Sequence, residues 1–255
     1  MDIYELQDSR PLAEERWLRK GLFYRYFLDG VPDYLARNYW WAYLWKPGAW
    51  FFDHQPIINA ILFGQYQRLM GETLRVIQAR PSGRMLQLSC VYGKLTPSLA
   101  GLDSRRLHLT DVSPVQLGIS MRKAGEKLVA TRMNAESLGY RDGVFDTVLI
   151  FFLMHEMPPE ARRRTLSEAI RVLSPKGRLV ITEYGHEPNA NPIYRFRLSR
   201  WIIGKLEPFL PGFWREELDV SMKNAASINR KTIKRNGKDV PVFKGFYRVA
   251  EYEVE

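Results

Sequence analysis

Cysteine is almost absent from this chain of 255 residues, which contains only Cys90. A single thiol cannot form an intramolecular disulfide, and it cannot supply a zinc site built from several cysteines. No apolar run approaches the roughly 18 residues that a membrane-spanning helix needs. The stretch from Met1 to Trp17 carries five acidic side chains and no apolar run, so we expect neither a secretory signal nor a mitochondrial transit peptide. These absences predict a cytoplasmic protein.

Positive charge is abundant and unevenly placed. The formal net charge is +10, and between Arg195 and Arg248 there are 13 Lys or Arg against 5 Asp or Glu. A basic region of this kind meets nucleic acid, an anionic membrane surface, or only solvent. No zinc-finger, RNP-type or basic-zipper pattern is present, so we expect no nucleic-acid partner.

Three zones along the chain differ in pattern. Residues 1–80 are aromatic-rich and predicted to form a helical accessory or substrate segment, and residues 81–255 a Rossmann-like domain with a lid or membrane-facing insertion at about 188–225. Buried strands are predicted at 84–88, 106–110, 146–152 and 178–183, and the clearest helices at 115–127 and 160–173. Strands alternating with helices predict an α/β fold, a doubly wound and mostly parallel sheet.

The carboxyl ends of these strands are where such sheets bind ligands. Asp111 ends the second strand, about 20 residues after Ser89, which suits a carboxylate that accepts the hydroxyls of a ribose. The turn after the first strand, residues 86–93, has only Gly93 where nucleotide loops usually have three glycines. Taken alone, this turn fits an ordinary β–α connection equally well.

Further motifs follow in a recognisable order: Asn134-Ala135-Glu136, then Phe145-Asp146, then the stretch RVLSPKGRL at 171–179. Over residues 83–185 this resembles the class I methyltransferases that use S-adenosylmethionine (SAM), especially those of quinone pathways. The resemblance implies SAM contacts from Gln87, Ser89, Cys90, Tyr92, Gly93, Asp111, Val112, Asn134, Ala135, Glu136 and Phe151. Gln87 stands where that family has an acid, Ser89 and Val91 replace glycines, and Asn134 replaces an aspartate, departures that argue against ordinary methyl transfer.

The N-terminal zone carries a second resemblance. The stretches VPDY at 31–34, YWWAYL at 39–44, FDHQ at 52–55 and INAILFG at 58–64 are similar to the rhodoquinone biosynthesis family. That resemblance implies conversion of ubiquinone to rhodoquinone, in which an amino group replaces a ring methoxy group. It further implies SAM as the amino donor and a divalent metal, Mn²⁺, as an assistant.

The chemistry of amination suggests roles for individual residues. A neutral amine is needed for attack on a quinone, and a nearby carboxylate would favour the ammonium form, so we hypothesise that Gln87 and Tyr92 turn the amine of SAM toward the ring. Candidate acid–base residues are His155, Glu156, Tyr92 and Tyr184. Metal ligands are sought first at His155-Glu156, then at Asp53-His54, then at His186-Glu187. His108 lies within a strand and is interpreted as structural.

Aromatic and basic residues suggest a membrane partner. Five of the seven tryptophans lie between Trp17 and Trp50, and residues 193–214 mix basic with apolar side chains. Such segments suit an anionic lipid surface, which predicts a protein peripheral to the inner (cytoplasmic) membrane. The alternative is that both segments form a lid over the site without touching lipid.

Two other functions remain open. One is a conventional SAM-dependent O- or C-methyltransferase acting on a quinone-pathway or other aromatic substrate. The other is an inactive scaffold subunit with a SAM fold, because loss of glycines from the loop is what such a subunit would show.

Overall fold

A central sheet of eight strands organises the chain. The computed structural model describes residues 30–80, 83–103, 107–125, 128–185 and 197–255. Trp17 and the pair His186-Glu187 therefore lie outside the described residues. The strands, in chain order, are β1 Met85–Leu88, β2 Leu107–Asp111, β3 Val129–Arg132, β4 Phe145–Phe151, β5 Leu173–Tyr184, β6 Ile233–Arg235, β7 Val240–Val242 and β8 Tyr247–Val254.

The parallel half of the sheet confirms the predicted fold class. Its order is β3-β2-β1-β4-β5, with β1 pairing to both β2 and β4. All four residues of β1 are buried, as expected for a strand covered on both faces. Residues 174–177, between the predicted helix and the predicted strand, form a bulge inside β5: Leu173 pairs with Phe145 and Arg178 with Thr147.

The C-terminal strands close the sheet in antiparallel fashion. β8 lies between β5 and β6, and the short β7 also pairs with β8. The sequence interpretation did not place these strands, although Tyr252 and Val254 are buried beside the partly exposed Glu251 and Glu253. That alternation is typical of a strand with one solvated face.

Helices pack on both sides of the sheet and precede it. Within the described residues before β1 the helices are α1 Asp33–Asn38, α2 Trp40–Tyr43, α3 Lys46–Phe52, α4 Gln55–Ile61 and α5 Tyr66–Gln78. The others are α6 Leu95–Asp103, α7 Pro114–Ala124, α8 Pro159–Arg171, α9 Arg197–Leu206, α10 Leu210–Arg215 and α11 Leu218–Ile228. Helix α7 begins as predicted, with the Ser113 hydroxyl accepting the Gln116 N–H (3.2 Å).

Arg178 fixes the N-terminal helices against the sheet. Its buried guanidinium donates to the carbonyls of Val76, Ile77 and Arg80 at the end of α5. The carbonyls of Val76 and Ile77 are among those that a helix leaves without internal partners, and Arg80 lies two residues beyond it, so one side chain from β5 caps the helix. Over the described ranges, every helix is too short or too polar to cross a bilayer.

Candidate functional site

A cleft opens at the carboxyl ends of β1, β2 and β4. The N-terminal helices cover it from one side. Its lining residues are Pro32, Tyr34, Leu35, Tyr43, Ser89, Cys90, Thr110, Asp111, Val112, Met133, Asn134, Ala135, Phe152, Leu153, Glu156 and Met157. The cleft thus joins a polar end, near Asp111 and Asn134, to an apolar end whose one ionisable carboxyl is Glu156.

Asp111 is held rigidly at the polar end. One carboxylate oxygen accepts the Cys90 N–H (2.7 Å) and the other accepts the Ser113 N–H (2.7 Å). Burial nevertheless raises the pKa of Asp111 to about 6, against the lowering effect of those two backbone groups. Because its folded-state pKa lies above the ordinary value of 3.8, this group stabilises the fold increasingly as pH falls from about 6 toward 4.

The glycine-poor loop after β1 is braced from within by Gln87. That side chain is fully buried, and its amide nitrogen donates to Ser89 O (3.0 Å) and Thr96 Oγ1 (3.0 Å). Ser89 takes a positive φ of 68°, a conformation that glycine would adopt more easily. Gln87 therefore lies beneath the cleft and holds a strained turn in place.

The N-terminal helices brace the same loop from outside. The Tyr92 hydroxyl donates to Ala42 O (2.5 Å), and its ring stacks on Tyr43 at 5.7 Å. The Gly93 N–H donates to Asp53 (2.9 Å), whose carboxylate also binds Lys123. These contacts join segments that are far apart in the sequence, so the loop takes its shape from the accessory segment.

Tyr66 completes this bracing at the start of α6. Its buried hydroxyl accepts the N–H groups of Lys94 (2.6 Å) and Leu95 (3.1 Å) and donates to Tyr92 O (3.1 Å). A Cβ built on Gly93 would stand 2.5 Å from the same hydroxyl oxygen, and Gly93 has φ +84°. Only glycine therefore fits at this position of the loop.

An acidic cluster surrounds His155, which is next to Glu156 at the end of the cleft away from Asp111. Nδ1 of His155 lies 2.8 Å from Glu183, and Nε2 lies 3.6 Å from Glu207, which follows α9. Donor atoms of His155, Glu156 and Glu207 all lie within 4.8 Å of one another. Tyr43 donates to Glu156, and Tyr39 donates to Glu207 (3.0 Å). The carboxyl groups of Glu156, Glu183 and Glu207 thus all lie close to the imidazole of His155.

The pKa values of His155 and Glu156 are both raised. Burial lowers the pKa of His155, but the charges of Glu183 and Glu207 outweigh it and raise the value to about 9. Burial raises the pKa of Glu156 to about 8, while the His155 charge and the Tyr43 hydrogen bond oppose the rise. Groups that exchange protons near neutral pH are suited to acid–base chemistry.

The turn that presents His155 and Glu156 is anchored by Arg162 of α8. The guanidinium donates to Met157 O (2.7 Å) and holds Glu216 with two hydrogen bonds (2.5 and 3.1 Å). Arg162 is 2% exposed, so this ion pair is fixed within the fold. It joins the His155 turn to the segment after α10.

The residues predicted from sequence divide into two groups. Those that line the cleft are Ser89, Cys90, Asp111, Val112, Asn134, Ala135 and Glu156. The others lie beneath or beside it: Gln87, Tyr92, Gly93, Glu136, Phe151, His155 and Tyr184. Glu136 binds Tyr34 and Arg164, and Tyr184 packs edge-on against His155 at 4.8 Å.

His54 lies apart from the acidic cluster. Its exposed ring packs on Trp50 at 4.3 Å and bonds Trp50 O at 2.8 Å, whereas the candidate metal-ligating group contains His155, Glu156 and Glu207. His108, interpreted as structural, packs edge-on against Phe145 in the sheet.

Sequence reasoning missed four residues of the site: Tyr39, Tyr43, Glu183 and Glu207. Glu183 lies near the end of β5, so the rule about strand ends could have indicated it. Tyr39 and Tyr43 lie in the stretch YWWAYL, which entered the sequence resemblance without a role for either tyrosine. Glu207 follows α9, far along the chain, and nothing local marks it.

Comparison with known proteins agrees with this geometry. Residues 86–181 match the family model described as methyltransferase domain. A demethylmenaquinone methyltransferase of Lactiplantibacillus plantarum is 28% identical over 198 residues, covering 72% of this chain and 73% of that protein. The ubiquinone/menaquinone biosynthesis C-methyltransferase UbiE of Vibrio cholerae is 28% identical over 145 residues, a match that covers 54% of this chain and only 55% of that protein.

Solved structures share the fold at low sequence identity. N-methyltransferase NodS from Bradyrhizobium japonicum, in complex with S-adenosylhomocysteine, superposes with a TM-score of 0.55 at 13% identity, covering 80% of this chain and 90% of its own. The [4+2]-cyclase SpnF superposes with a TM-score of 0.50 at 16% identity, covering 82% and 96%. The fold therefore accommodates more than one chemistry. The chain has the Rossmann-like fold of the class I methyltransferases, and its residues 86–181 match a methyltransferase domain.

Proposed function

We propose that this protein is a SAM-dependent transferase whose acceptor is the ring of a quinone or quinol. The observation that carries the proposal is the two-ended cleft, with the clamped Asp111 at one end and the His155 cluster at the other. Asp111 would accept the ribose hydroxyls, and Asn134 and Ala135 would flank the adenine. The acceptor ring would lie between Tyr43 and Phe152, beside Glu156.

Methyl transfer is the reaction that the relatives support best, because the named relatives are quinone-pathway methyltransferases. A quinol hydroxyl or ring carbon must lose a proton as it gains a methyl group. Glu156 is the carboxyl nearest the proposed acceptor position, and its raised pKa suits it to take that proton. Before that step, Tyr43 and His155 would stabilise the charge of the deprotonated Glu156, which becomes neutral when it accepts the proton.

Quinone amination is the second candidate, and Gln87 favours it. A carboxylate at this buried position would raise the pKa of the amine of SAM and keep it protonated. The neutral amide of Gln87 does not have this effect. In this reaction the amine of SAM adds to the methoxy-bearing ring carbon and methoxide leaves. The adduct would then isomerise, so that the quinone ring is reduced to a hydroquinone while the amine-bearing carbon of SAM is oxidised to an imine. Hydrolysis of that imine by water would release an aminohydroquinone and a 2-oxo acid. That reaction suits a finished ubiquinone, whose ring is electrophilic.

The donor set of the His155 cluster fits a divalent cation such as Mn²⁺. One imidazole and two carboxylates within 4.8 Å are ligands that this ion accepts, and they bind it in their deprotonated forms. His155, Glu156 and Glu207 would hold it, and the ion would act as a Lewis acid on a ring carbonyl. Glu183 would orient the imidazole through Nδ1.

One labelled substrate separates these reactions. SAM carrying ¹³C in its methyl group and ¹⁵N in its amine is incubated with the protein and either a demethylated quinol or ubiquinone, with and without Mn²⁺. Methyl transfer puts ¹³C in the product, whereas amination puts ¹⁵N there and removes a methoxy group. If no labelled product forms and calorimetry shows no binding of SAM, the result would favour the scaffold alternative.

A further inference from the structure

Two segments meet above the cleft and carry the exposed aromatic side chains of the described chain. The N-terminal segment supplies Tyr39, whose hydroxyl donates to Glu207 at the end of α9 (3.0 Å), and Tyr34, whose ring meets Phe209 at 6.2 Å. The residues next to this junction, Trp40 and Leu206, both face solvent. The N-terminal helices and the α9 segment therefore contact each other at this junction.

Both segments expose large apolar side chains. We define the aromatic rim as the exposed large apolar residues of these two segments, with their exposed fractions: Trp40 (40%), Trp45 (53%), Trp50 (65%), Phe51 (47%), Trp201 (62%) and Leu206 (52%). The other large apolar side chains that are exposed in the described ranges are aliphatic. Exposed indoles and phenyl rings gathered on one surface mark an interaction site rather than chance exposure.

The rim lies directly behind the cleft. Helix α2 places Tyr43 on the cleft wall and Trp40 on the outside, within a single turn. Helix α3 buries Gly48 and Ala49 and exposes Trp50 and Phe51. A partner that bound the rim would therefore contact the roof of the site.

Basic residues accompany the aromatic ones. Lys46 begins α3 and is exposed, and the ammonium of Lys205 lies 5.9 Å from the ring centre of Trp201. The whole chain carries a net charge of +10. Indoles favour the headgroup region of a bilayer, and each lysine near an anionic surface adds attraction. Exposed indoles together with lysines are the combination that a lipid headgroup region favours, so we take lipid rather than a protein as the partner.

We infer that the aromatic rim docks the roof of the cleft onto an anionic bilayer surface, with Trp45, Trp50 and Trp201 in the headgroup region. The inference deepens the proposed function, because a quinone with a lipid tail would then enter from the membrane. It is tested without SAM or quinone, so its failure leaves the transferase proposal untouched. A failed transferase assay likewise leaves the docking measurement valid.

Vesicle flotation tests this docking. The full chain is mixed with vesicles of phosphatidylcholine alone or with vesicles in which phosphatidylglycerol replaces about one third of that lipid, and the partition coefficient is measured. We expect binding to the anionic vesicles that weakens with salt, and a loss of roughly tenfold for each of Trp45→Ala, Trp50→Ala and Trp201→Ala. Val220→Ala and Ile228→Ala, which remove exposed apolar side chains from α11, are the matched controls and should bind like the wild type.

Three results would overturn the inference. The first is a wild-type protein that stays with the soluble fraction at low salt. The second is equal loss of binding in the rim variants and the α11 controls. The third is sedimentation showing that the rim joins two copies of the chain, with the dimer broken by Trp50→Ala. Circular dichroism of each variant checks that the fold is intact, so that a loss of binding reports on the rim.

Discussion

Replacing Tyr66 by Phe removes one buried hydroxyl and nothing else. That hydroxyl makes three hydrogen bonds, to the N–H groups of Lys94 and Leu95 and to the carbonyl of Tyr92. The Leu95 N–H is fully buried and would lose its partner, at about 1–3 kcal/mol. The other two groups are partly solvated and cost about 0.5 kcal/mol each, so we expect the free energy of unfolding to fall by about 2–4 kcal/mol.

A second tyrosine provides the matched control. Tyr247 is as deeply buried as Tyr66, but its hydroxyl has no hydrogen-bond partner among the described residues. Tyr247→Phe should therefore change the free energy of unfolding by less than about 1 kcal/mol, or raise it, because it removes an unsatisfied polar group.

Urea denaturation followed by circular dichroism measures both variants, with linear extrapolation to water. The m-value should stay the same, since neither change alters the surface exposed on unfolding. Equal destabilisation by the two substitutions would refute the reasoning, because it would mean that the hydroxyl of Tyr66 contributes no more than an unbonded one.

Three further predictions concern the loop and the cluster. In the same denaturation assay, Gly93→Ala should lower the free energy of unfolding by at least about 2 kcal/mol. Gly101→Ala is the control: it lies in a helix with open space around the added Cβ, so it should be neutral or stabilising by up to about 1 kcal/mol. Affinity for S-adenosylhomocysteine should fall roughly tenfold per pH unit below pH 6, as Asp111 gains its proton, and calorimetry on Asp111→Asn should show weak, pH-independent binding. Glu207→Gln should lower the pKa of His155 from about 9, because one of the charges that raises it is gone; an unchanged imidazole titration by NMR would contradict this.

The parallel sheet was predictable because its evidence is local. Strands such as Met85–Leu88 are short apolar runs that end in polar residues, and Asp111 is recognisable by its distance from the first turn. The antiparallel β8 could have been predicted from the alternation of apolar and acidic residues at its C-terminal end. The sequence interpretation instead read this region by its basic composition. The parallel pairing of the first five strands then followed from the connection rules for α/β folds.

The site was less predictable because it is assembled from distant segments. Glu207 reaches His155 from a remote part of the chain, and no periodicity specifies that approach. The same is true of Asp53, which bonds the Gly93 N–H although the sequence suggested it only as a companion of His54. Sequence patterns give the positions of strand ends, but packing decides which helices cover them.

The bond between Asp53 and Gly93 links the motion of the loop to the motion of the helices above it. The Gly93 amide can exchange its hydrogen with solvent only when Asp53 withdraws, and the Leu95 amide only when Tyr66 does. Exchange rates at these two amides therefore report how often the accessory helices lift away. A ligand that closes the cleft would slow both rates together, even if it touched neither residue.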